Sequence, residues 1–234
     1  MRWTLPITRW TSWNIDTTSS DQGAEPKPVD FSFVDPLLRR RLSQLARMSL
    51  KVAHDCSRDL PRVHFVYASR HGELKRTTDM LSDLAAGETL SPTAFSLSVL
   101  NASAGIFSML RHDTAPATAI SAGASTFGFG LLEAGLQLAA KPNIPVLFVY
   151  ADEPAPAVYG GVAADTGPAH AIAVLLSCDA PLRIICNVLH VTASDSSEPQ
   201  STTFLRCIEG NATASSTWRG EGRTWTWHRD GVPA

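Results

Sequence analysis

Long apolar runs and strong charge are both missing from this sequence of 234 residues. No run approaches the roughly 20 apolar residues that span a bilayer, and the net charge is −2 with an isoelectric point near 6.4. Nucleic-acid and membrane-surface binding need a basic excess, which is absent. The N-terminal segment lacks the apolar core of a secretory signal peptide, because Arg9, Thr11 and Ser12 interrupt it. We expect a cytoplasmic protein with no transmembrane segment and no nucleic-acid partner.

Cysteine and ligand-binding motifs are scarce as well. The four cysteines are Cys56, Cys178, Cys186 and Cys207. No two of them have the spacing of a zinc knuckle or redox pair, and four are too few for a disulfide scaffold, so free thiols are expected. The seven histidines are scattered, there is no P-loop, and GFGLLEAG at 128–135 fits the dinucleotide pattern G-x-G-x-x-G poorly. The sequence therefore predicts no metal and no cofactor.

Apolar segments of strand and helix type alternate along the first 150 residues. With 44% hydrophobic and 18% charged residues, the chain can bury a core. Strands are predicted at 63–69, 117–121 and 144–152, which indicates an α/β fold with largely parallel pairing. The runs at 171–178 and 182–191 predict a hairpin that closes the sheet.

An amphipathic helix is predicted at 36–56, and within 91–110 a loop at Ser91–Pro92 is predicted to lead into an apolar helix. Within the first, Leu38, Leu42, Leu45 and Val52 define the apolar face. Arg40, Arg47 and Lys51 fall on another face, which is either a solvated surface or a docking surface for an acidic partner.

The tail after residue 192 changes in character. A polar segment leads to TWTWH, which alternates as a strand does. The tail tryptophans Trp218, Trp225 and Trp227 are expected to pack on their own domain, with a subunit interface as the alternative.

The stretch SAGASTFGFG, residues 121–130, lies between a predicted strand and a helix over 127–140. Ser125 sits where a hydrolase elbow G-x-S-x-G has its nucleophile, but Phe127 replaces the last glycine. A triad would need Asp152 or Asp165 with a histidine. The available histidines are His170, His190 and His228. Alternatively, Ser125 is a helix-start residue.

Two further features surround this stretch. The pair Asp152–Glu153 is open to acid–base chemistry, although Pro154 favours a turn at the end of a strand. Gly128, Gly130 and Gly135 each cost the helix about 1 kcal/mol relative to Ala. This cost predicts that another backbone or a ligand approaches the helix closely.

Four motifs in this order resemble the N-terminal half of β-ketoacyl synthases. They are SRHGEL (69–74), SPTAFSLSVLNASAG (91–105), AISAGASTFGFGLLEAG (119–135) and VLFVYADE (146–153). The sequence is most similar to truncated, chain-length-factor-like subunits of aryl polyene-type pathways, over about residues 30–190. The resemblance implies an α/β, layered α-β-α thiolase/ketosynthase-like fold with a shortened C-terminal part. We expect one domain, 1–234, with a divergent segment at 192–234.

The resemblance also implies a degenerate active site. Ketosynthases read approximately T-A-C-A-S-S at the turn that is Ser121–Thr126 here, so Gly123 stands at the nucleophile position. Glycine cannot form an acyl thioester. Chain length factors typically carry glutamine there, which makes glycine a departure from them too. The glycine-rich C-terminal motifs that accompany the catalytic histidines are also absent, so the chain is not expected to be an enzyme on its own.

The implied partners are an active β-ketoacyl synthase and, through that complex, an acyl carrier protein. In this family a strand near the elbow, here 117–122, pairs across the dimer axis. Expected tunnel or interface positions, each with a core position as the alternative, are Phe95, Leu97, Val99, Leu100, Asn101, Phe127 and Phe129. Expected docking positions for the acidic carrier are Arg39, Arg40, Arg41, Arg47 and Lys51. The competing functions are a serine hydrolase or acyltransferase that uses Ser125, and a homodimeric acyl-binding protein.

Overall fold

The computed structural model describes residues 1–14, 30–160, 167–190, 194–211 and 213–230. Within these ranges the chain forms eight strands and seven helices. The strands are β1 (Arg2–Asn14), β2 (His64–Ala68), β3 (Ala117–Ile120), β4 (Val146–Asp152), β5 (His170–Leu176), β6 (Leu182–His190), β7 (Ser215–Gly220) and β8 (Arg223–Asp230). The helices are α1 (Pro36–Arg41), α2 (Gln44–Ser57), α3 (Leu74–Ala85), α4 (Pro92–Ser96), α5 (Ala102–Arg111), α6 (Thr126–Ala140) and α7 (Gln200–Glu209).

The strands form one sheet in the order β3-β2-β4-β5-β1-β6-β8-β7. β2 pairs in parallel with β3 and β4, whereas the other neighbouring strands pair antiparallel. The three strands predicted within the first 150 residues thus pair in parallel, as expected, but the sheet as a whole is mostly antiparallel. The predicted hairpin was wrong, because β1 lies between β5 and β6 and Ile7 pairs with both Leu176 and Leu182.

Helices cover both faces of this sheet, which confirms the layered α-β-α expectation. β4 and β5 are buried along their whole length, so successive side chains enter opposite layers. Phe148 of β4 packs in the layer of α6 and α7, which also holds Trp225 and Trp227. Its neighbour Val149 packs in the layer of α2 and α5. The predicted packing of the tail tryptophans on their own chain is thus confirmed.

Both long predicted helices are broken in two. After α1, Leu42 is extended, and the Ser43 hydroxyl accepts from the Ala46 amide, which starts α2. α4 likewise ends at Ser96, and the Ser98 hydroxyl bonds the Phe95 carbonyl before α5 begins. Serine side chains that compete for backbone groups explain both interruptions.

The glycines of α6 are approached closely, as predicted, but by side chains and not by a backbone or a ligand. A Cβ at Gly128 would lie 2.6 Å from the Trp225 ring, and one at Gly130 would lie 2.5 Å from Phe148. Such contacts exclude any larger residue without movement of the neighbour. None of the helices in the described ranges is long and apolar enough to cross a membrane.

Candidate functional site

The turn from β3 into α6 lies at the carboxyl edge of the parallel strands, where α/β sheets place their sites. Gly123 has φ +59°, a left-handed conformation that favours glycine. The Thr126 hydroxyl accepts from the Ala122 amide at 2.8 Å and donates to the Gly123 carbonyl at 2.7 Å. The turn is therefore a defined elbow (residues 121–126) with position 123 at its tip.

The carboxylate of Glu221 fills the space at this tip. A Cβ built on Gly123 would overlap Glu221 Oε1. Oε1 accepts from the Ala124 amide at 2.8 Å, and Oε2 accepts from the Ser125 amide at 3.3 Å. Ser125 is the N-cap residue of α6 and Ala124 directly precedes it, so the carboxylate lies at the end of the helix where the dipole favours negative charge. A carboxylate from elsewhere in the chain thus occupies the position that a side chain at 123 would have.

Glu221 comes from the two-residue turn that joins β7 to β8. Glu221 and Gly222 have φ values of +53° and +69°, and Gly220 pairs with Arg223 across the turn. Positive φ at both central residues is the signature of a type I′ hairpin turn. Arg223 Nη1 lies 3.9 Å from Glu221 Oε2. The C-terminal hairpin therefore delivers a charged side chain to the elbow, about 100 residues away along the chain.

Ser125 has no catalytic partner in the described part of the chain. It is fully buried, and its hydroxyl makes no hydrogen bond there, neither to a histidine nor as a helix cap. His170 Nε2 instead bonds the Ser201 hydroxyl at 2.7 Å. His190 and His228 are exposed, and Asp165 lies outside the described residues. Ser125 therefore has no general base, as a serine hydrolase would need. It occupies the N-cap position of α6, but its side chain makes no capping hydrogen bond.

Asp152 at the end of β4 is a structural acceptor. Its carboxylate accepts from the Ser69 hydroxyl at 3.2 Å, the Arg70 and His71 amides at 3.1 and 3.2 Å, and the Tyr150 hydroxyl at 2.9 Å. Burial and the nearby Asp152 charge raise the pKa of Tyr150 well above its usual value. These bonds fix the turn after β2, which agrees with the prediction of a strand-end turn.

The companion residue Glu153 is buried too. Burial raises the pKa of Glu153, and the neighbouring Glu73 adds to this shift. The described residues contain no group of three or more histidine, cysteine or acidic side chains that could hold a metal. All four cysteines are free, as predicted, and only Cys178 is exposed.

The predicted tunnel or interface positions separate into two groups. Phe95 and Val99 are exposed, at 65% and 47% of their full area, and Asn101 is exposed at the start of α5. Leu97 and Leu100 are half-buried against the α2–α5 layer.

The two phenylalanines of α6 differ from that group. Phe127 is a core residue, with ring centroids 5.5 Å from Phe148 and 5.4 Å from Tyr150. Phe129 is half-buried and contacts Trp225 edge-on at 5.1 Å.

The predicted basic residues do not form one stripe. Lys51 pairs with Asp55 on the same helix at 2.6 Å, and the half-buried Arg47 donates to the Arg39 carbonyl. The three arginines that stay exposed are those of α1, namely Arg39, Arg40 and Arg41. A docking surface on this side would therefore depend on α1.

β3 is an edge strand, with no further strand beside it in the described part of the chain. α5 contacts β3, and α4 contacts α3. Exposed apolar side chains also lie on α3 and on the segment after it. These are Leu81, Leu84 and Leu90. An open strand edge and exposed apolar side chains are each typical of an interaction surface.

The elbow, the two helical layers and the mixed sheet define a ketosynthase-type protein of the thiolase-like fold. The family model described as the N-terminal domain of beta-ketoacyl synthase matches residues 10–228. The chain therefore belongs to the β-ketoacyl synthase family.

Solved structures agree with this assignment. A chain from the complex of the ketosynthase ApeO with its chain length factor ApeC from Xenorhabdus doucetiae is 30% identical. That match has a TM-score of 0.80 and covers 97% of this chain and 100% of that chain. The ishigamide ketosynthase/chain length factor has the same fold, at 14% identity and a TM-score of 0.60, over 88% of this chain and 72% of that one. No curated protein matches the sequence.

A beta-ketoacyl synthase from Burkholderia phymatum also shares the fold, at 12% identity and a TM-score of 0.56. That match covers 84% of this chain and 67% of the other. Together these matches confirm the resemblance read from the sequence and the fold that it implied.

Sequence reasoning missed two residues, one that contacts the elbow and one that contacts the first turn of α6. Glu221 and Gln200 both lie in the C-terminal segment, and Gln200 Oε1 accepts from the Gly128 amide at 2.7 Å. The available signal was the Glu-Gly pair between two strand-like runs, which is a hairpin turn with an unusual first residue.

Proposed function

We propose that this chain is a non-catalytic, chain-length-factor-like subunit that pairs with an active β-ketoacyl synthase. The observation that carries this proposal is the elbow, where Gly123 replaces the nucleophile and the chain's own carboxylate occupies the space. The match over the whole of a chain from a ketosynthase and chain length factor complex supports it, because both chains are equally short. The pathway we propose is of the aryl polyene or fatty-acid type, and the names ApeO and ApeC in that complex are in keeping with it.

The proposed pairing surface is the open edge of β3 with the apolar side chains near it. An unpaired strand edge exposes backbone N–H and C=O groups that a second strand satisfies. Phe95 and Val99 would then be covered by the ketosynthase. Exposed apolar groups of this kind gain about 25 cal/mol for each Å² removed from water.

The proposed contribution to catalysis is a wall of the partner's acyl tunnel. The cavity beside the elbow measures about 180 Å³ and is lined by Ala124, Tyr150, Gln200 and Trp218 among others. Ordinary ligand pockets have roughly 300–1,000 Å³, so the reacting chain is assigned to the ketosynthase. Close-packed walls do not absorb extra methylene groups cheaply, so side chains at the interface set the longest product. An acyl carrier protein would deliver substrate to the pair, with Arg39–Arg41 available to its acidic surface.

Co-expression with the ketosynthase encoded nearest to this gene tests the pairing. A tag on one subunit and a sizing column with mass detection should show a one-to-one complex. Val99→Asp should weaken that complex at least tenfold, because it buries a charge at the interface. Leu189→Asp is the matched control, since Leu189 is 57% exposed on β6, five places from β3 in the sheet. A well-behaved chain that ignores the ketosynthase, or forms only a homodimer, would refute the pairing.

Resizing Phe95 tests the tunnel. Phe95→Ala should lengthen the acyl products of the complex and Phe95→Trp should shorten them, as measured by mass spectrometry of the released chains. Leu136→Ala, an exposed leucine on α6, should leave the length unchanged. An intact complex with the same product length in all variants would support the pairing but refute the control of product length by this chain.

A further inference from the structure

The C-terminal segment supplies hydrogen-bond acceptors both to the elbow before α6 and to the first turn of that helix. Glu221 accepts from the amides of Ala124 and Ser125, and Gln200 accepts from the amide of Gly128. The N-terminal amides of a helix need such acceptors, which local side chains usually supply. Here the side chain of Ser125, the residue in the cap position, makes no such bond.

The backbone of Glu221 makes its identity unusual. A type I′ turn favours Asn, Asp or Gly at this position, because the residue must adopt positive φ. Glutamate has no such advantage, and left-handed backbone costs about 1–2 kcal/mol for residues with a Cβ. The turn itself therefore does not explain a glutamate. The two hydrogen bonds at the elbow do, since a shorter side chain would not extend as far.

We propose that the elbow is a carboxylate-binding site whose ligand is built into the chain, namely Glu221. The carboxylate occupies the space that a side chain at position 123 would take and bonds the two amides that follow it. Gly123 therefore leaves the site without a nucleophile, and the C-terminal hairpin fills the space with its own carboxylate. This inference rests on the proposed function only in equating this elbow with the nucleophile turn of ketosynthases.

Chemical rescue is the first test. Glu221→Gly relieves the backbone strain and leaves the turn able to form, but it removes the carboxylate. Hydrogen exchange at the amides of residues 124 and 125 should become at least tenfold faster in the purified chain. Acetate should slow that exchange again and raise the melting temperature, whereas chloride at equal ionic strength should not. Glu88→Gln, in an exposed loop after α3, is the control and should change neither quantity.

A steric test uses the same variant as background. Gly123→Ala should lower the melting temperature in the natural chain by at least about 2–4 °C more than in the Glu221→Gly background. Gly87 is the matched control, because it has φ +77° with open space around it. Gly87→Ala should cost the same in both backgrounds.

Unchanged exchange at 124 and 125 in Glu221→Gly would overturn the inference, as would equal effects of Gly123→Ala in the two backgrounds. A loss in Glu221→Gly that acetate and chloride restore equally would also overturn it, because that result shows general screening. All of these measurements use the chain itself. Their failure would therefore leave the pairing with a ketosynthase untouched, and failure of the pairing would leave them interpretable.

Discussion

Replacing Gly128 by alanine should destabilise the protein, whereas the same change at Gly105 should stabilise it. Both glycines lie inside helices, Gly128 in α6 and Gly105 in α5. They differ in surroundings, because a Cβ at Gly105 meets nothing within 4 Å, but one at Gly128 meets three ring atoms of Trp225 at 2.6–2.8 Å.

The magnitudes follow from two opposing effects. Alanine improves helix propensity by about 1 kcal/mol at either position. At Gly128 the ring would have to retreat by about 1 Å to reach an ordinary carbon–carbon contact of 3.5–4.0 Å. Trp225 is fully buried and wedged edge-on against Trp3 and Phe129, with centroids 6.1 and 5.1 Å away. Overpacking of this kind costs about 1–3 kcal/mol.

Gly105→Ala should therefore raise stability by about 1 kcal/mol, and Gly128→Ala should lower it by up to about 2 kcal/mol. Thermal unfolding should separate the two variants by roughly 2–12 °C for a chain of this size. Trp225→Phe should recover part of the loss in Gly128→Ala, since the smaller ring leaves room. Equal melting temperatures for the two alanine variants would refute the argument that the hairpin packs against α6.

Three other measurements test individual features. Asp152→Ala leaves four donors without their acceptor, two of them on the buried Ser69 and Tyr150, so chemical denaturation should show a loss of at least about 3 kcal/mol; a loss no larger than that of the exposed Asp179→Ala would contradict the assigned role. Burial lowers the pKa of His64, so its neutral form favours folding, and stability should fall as pH drops below about 6.5. His64→Gln should flatten that decline, and an equally steep decline would show that another group causes the loss of stability. Iodoacetamide should label the folded chain at Cys178 alone, because burial raises the pKa of Cys56 to about 12; rapid labelling of a second cysteine would disprove the burial.

Local patterns were sufficient for part of the fold. The apolar stripe of α6, the fully buried β4 and the alternation of β8 follow from periodicity within one segment. β1 was not predicted as a strand, since Pro6 argues against a central position in a sheet. The structure accommodates Pro6 beside a register shift between Ile7 and Arg9 in the pairing with β5.

The sequence predicts one feature of the site, namely that the nucleophile is missing. Gly123 is visible in the sequence because the surrounding motif shows which residue is missing. The position of the Glu221 carboxylate beside Gly123 is not visible in the sequence, because the contact joins residues about a hundred positions apart, and no local pattern specifies such a contact. Similarly, the break between α1 and α2 does not follow from helical periodicity, which describes the faces of a helix but not where it ends.

The position of β1 has a consequence for synthesis in the cell. Arg2 pairs with Asn187 and Asn14 pairs with His170, so this strand leaves the ribosome long before either of its neighbours. At about 5–20 residues per second, translation would keep it waiting for roughly ten to forty seconds. During that time its edges are open to other chains and to chaperones. Slower elongation should therefore reduce the yield of folded protein, whereas a permuted gene that places β1 between β5 and β6 should escape that dependence.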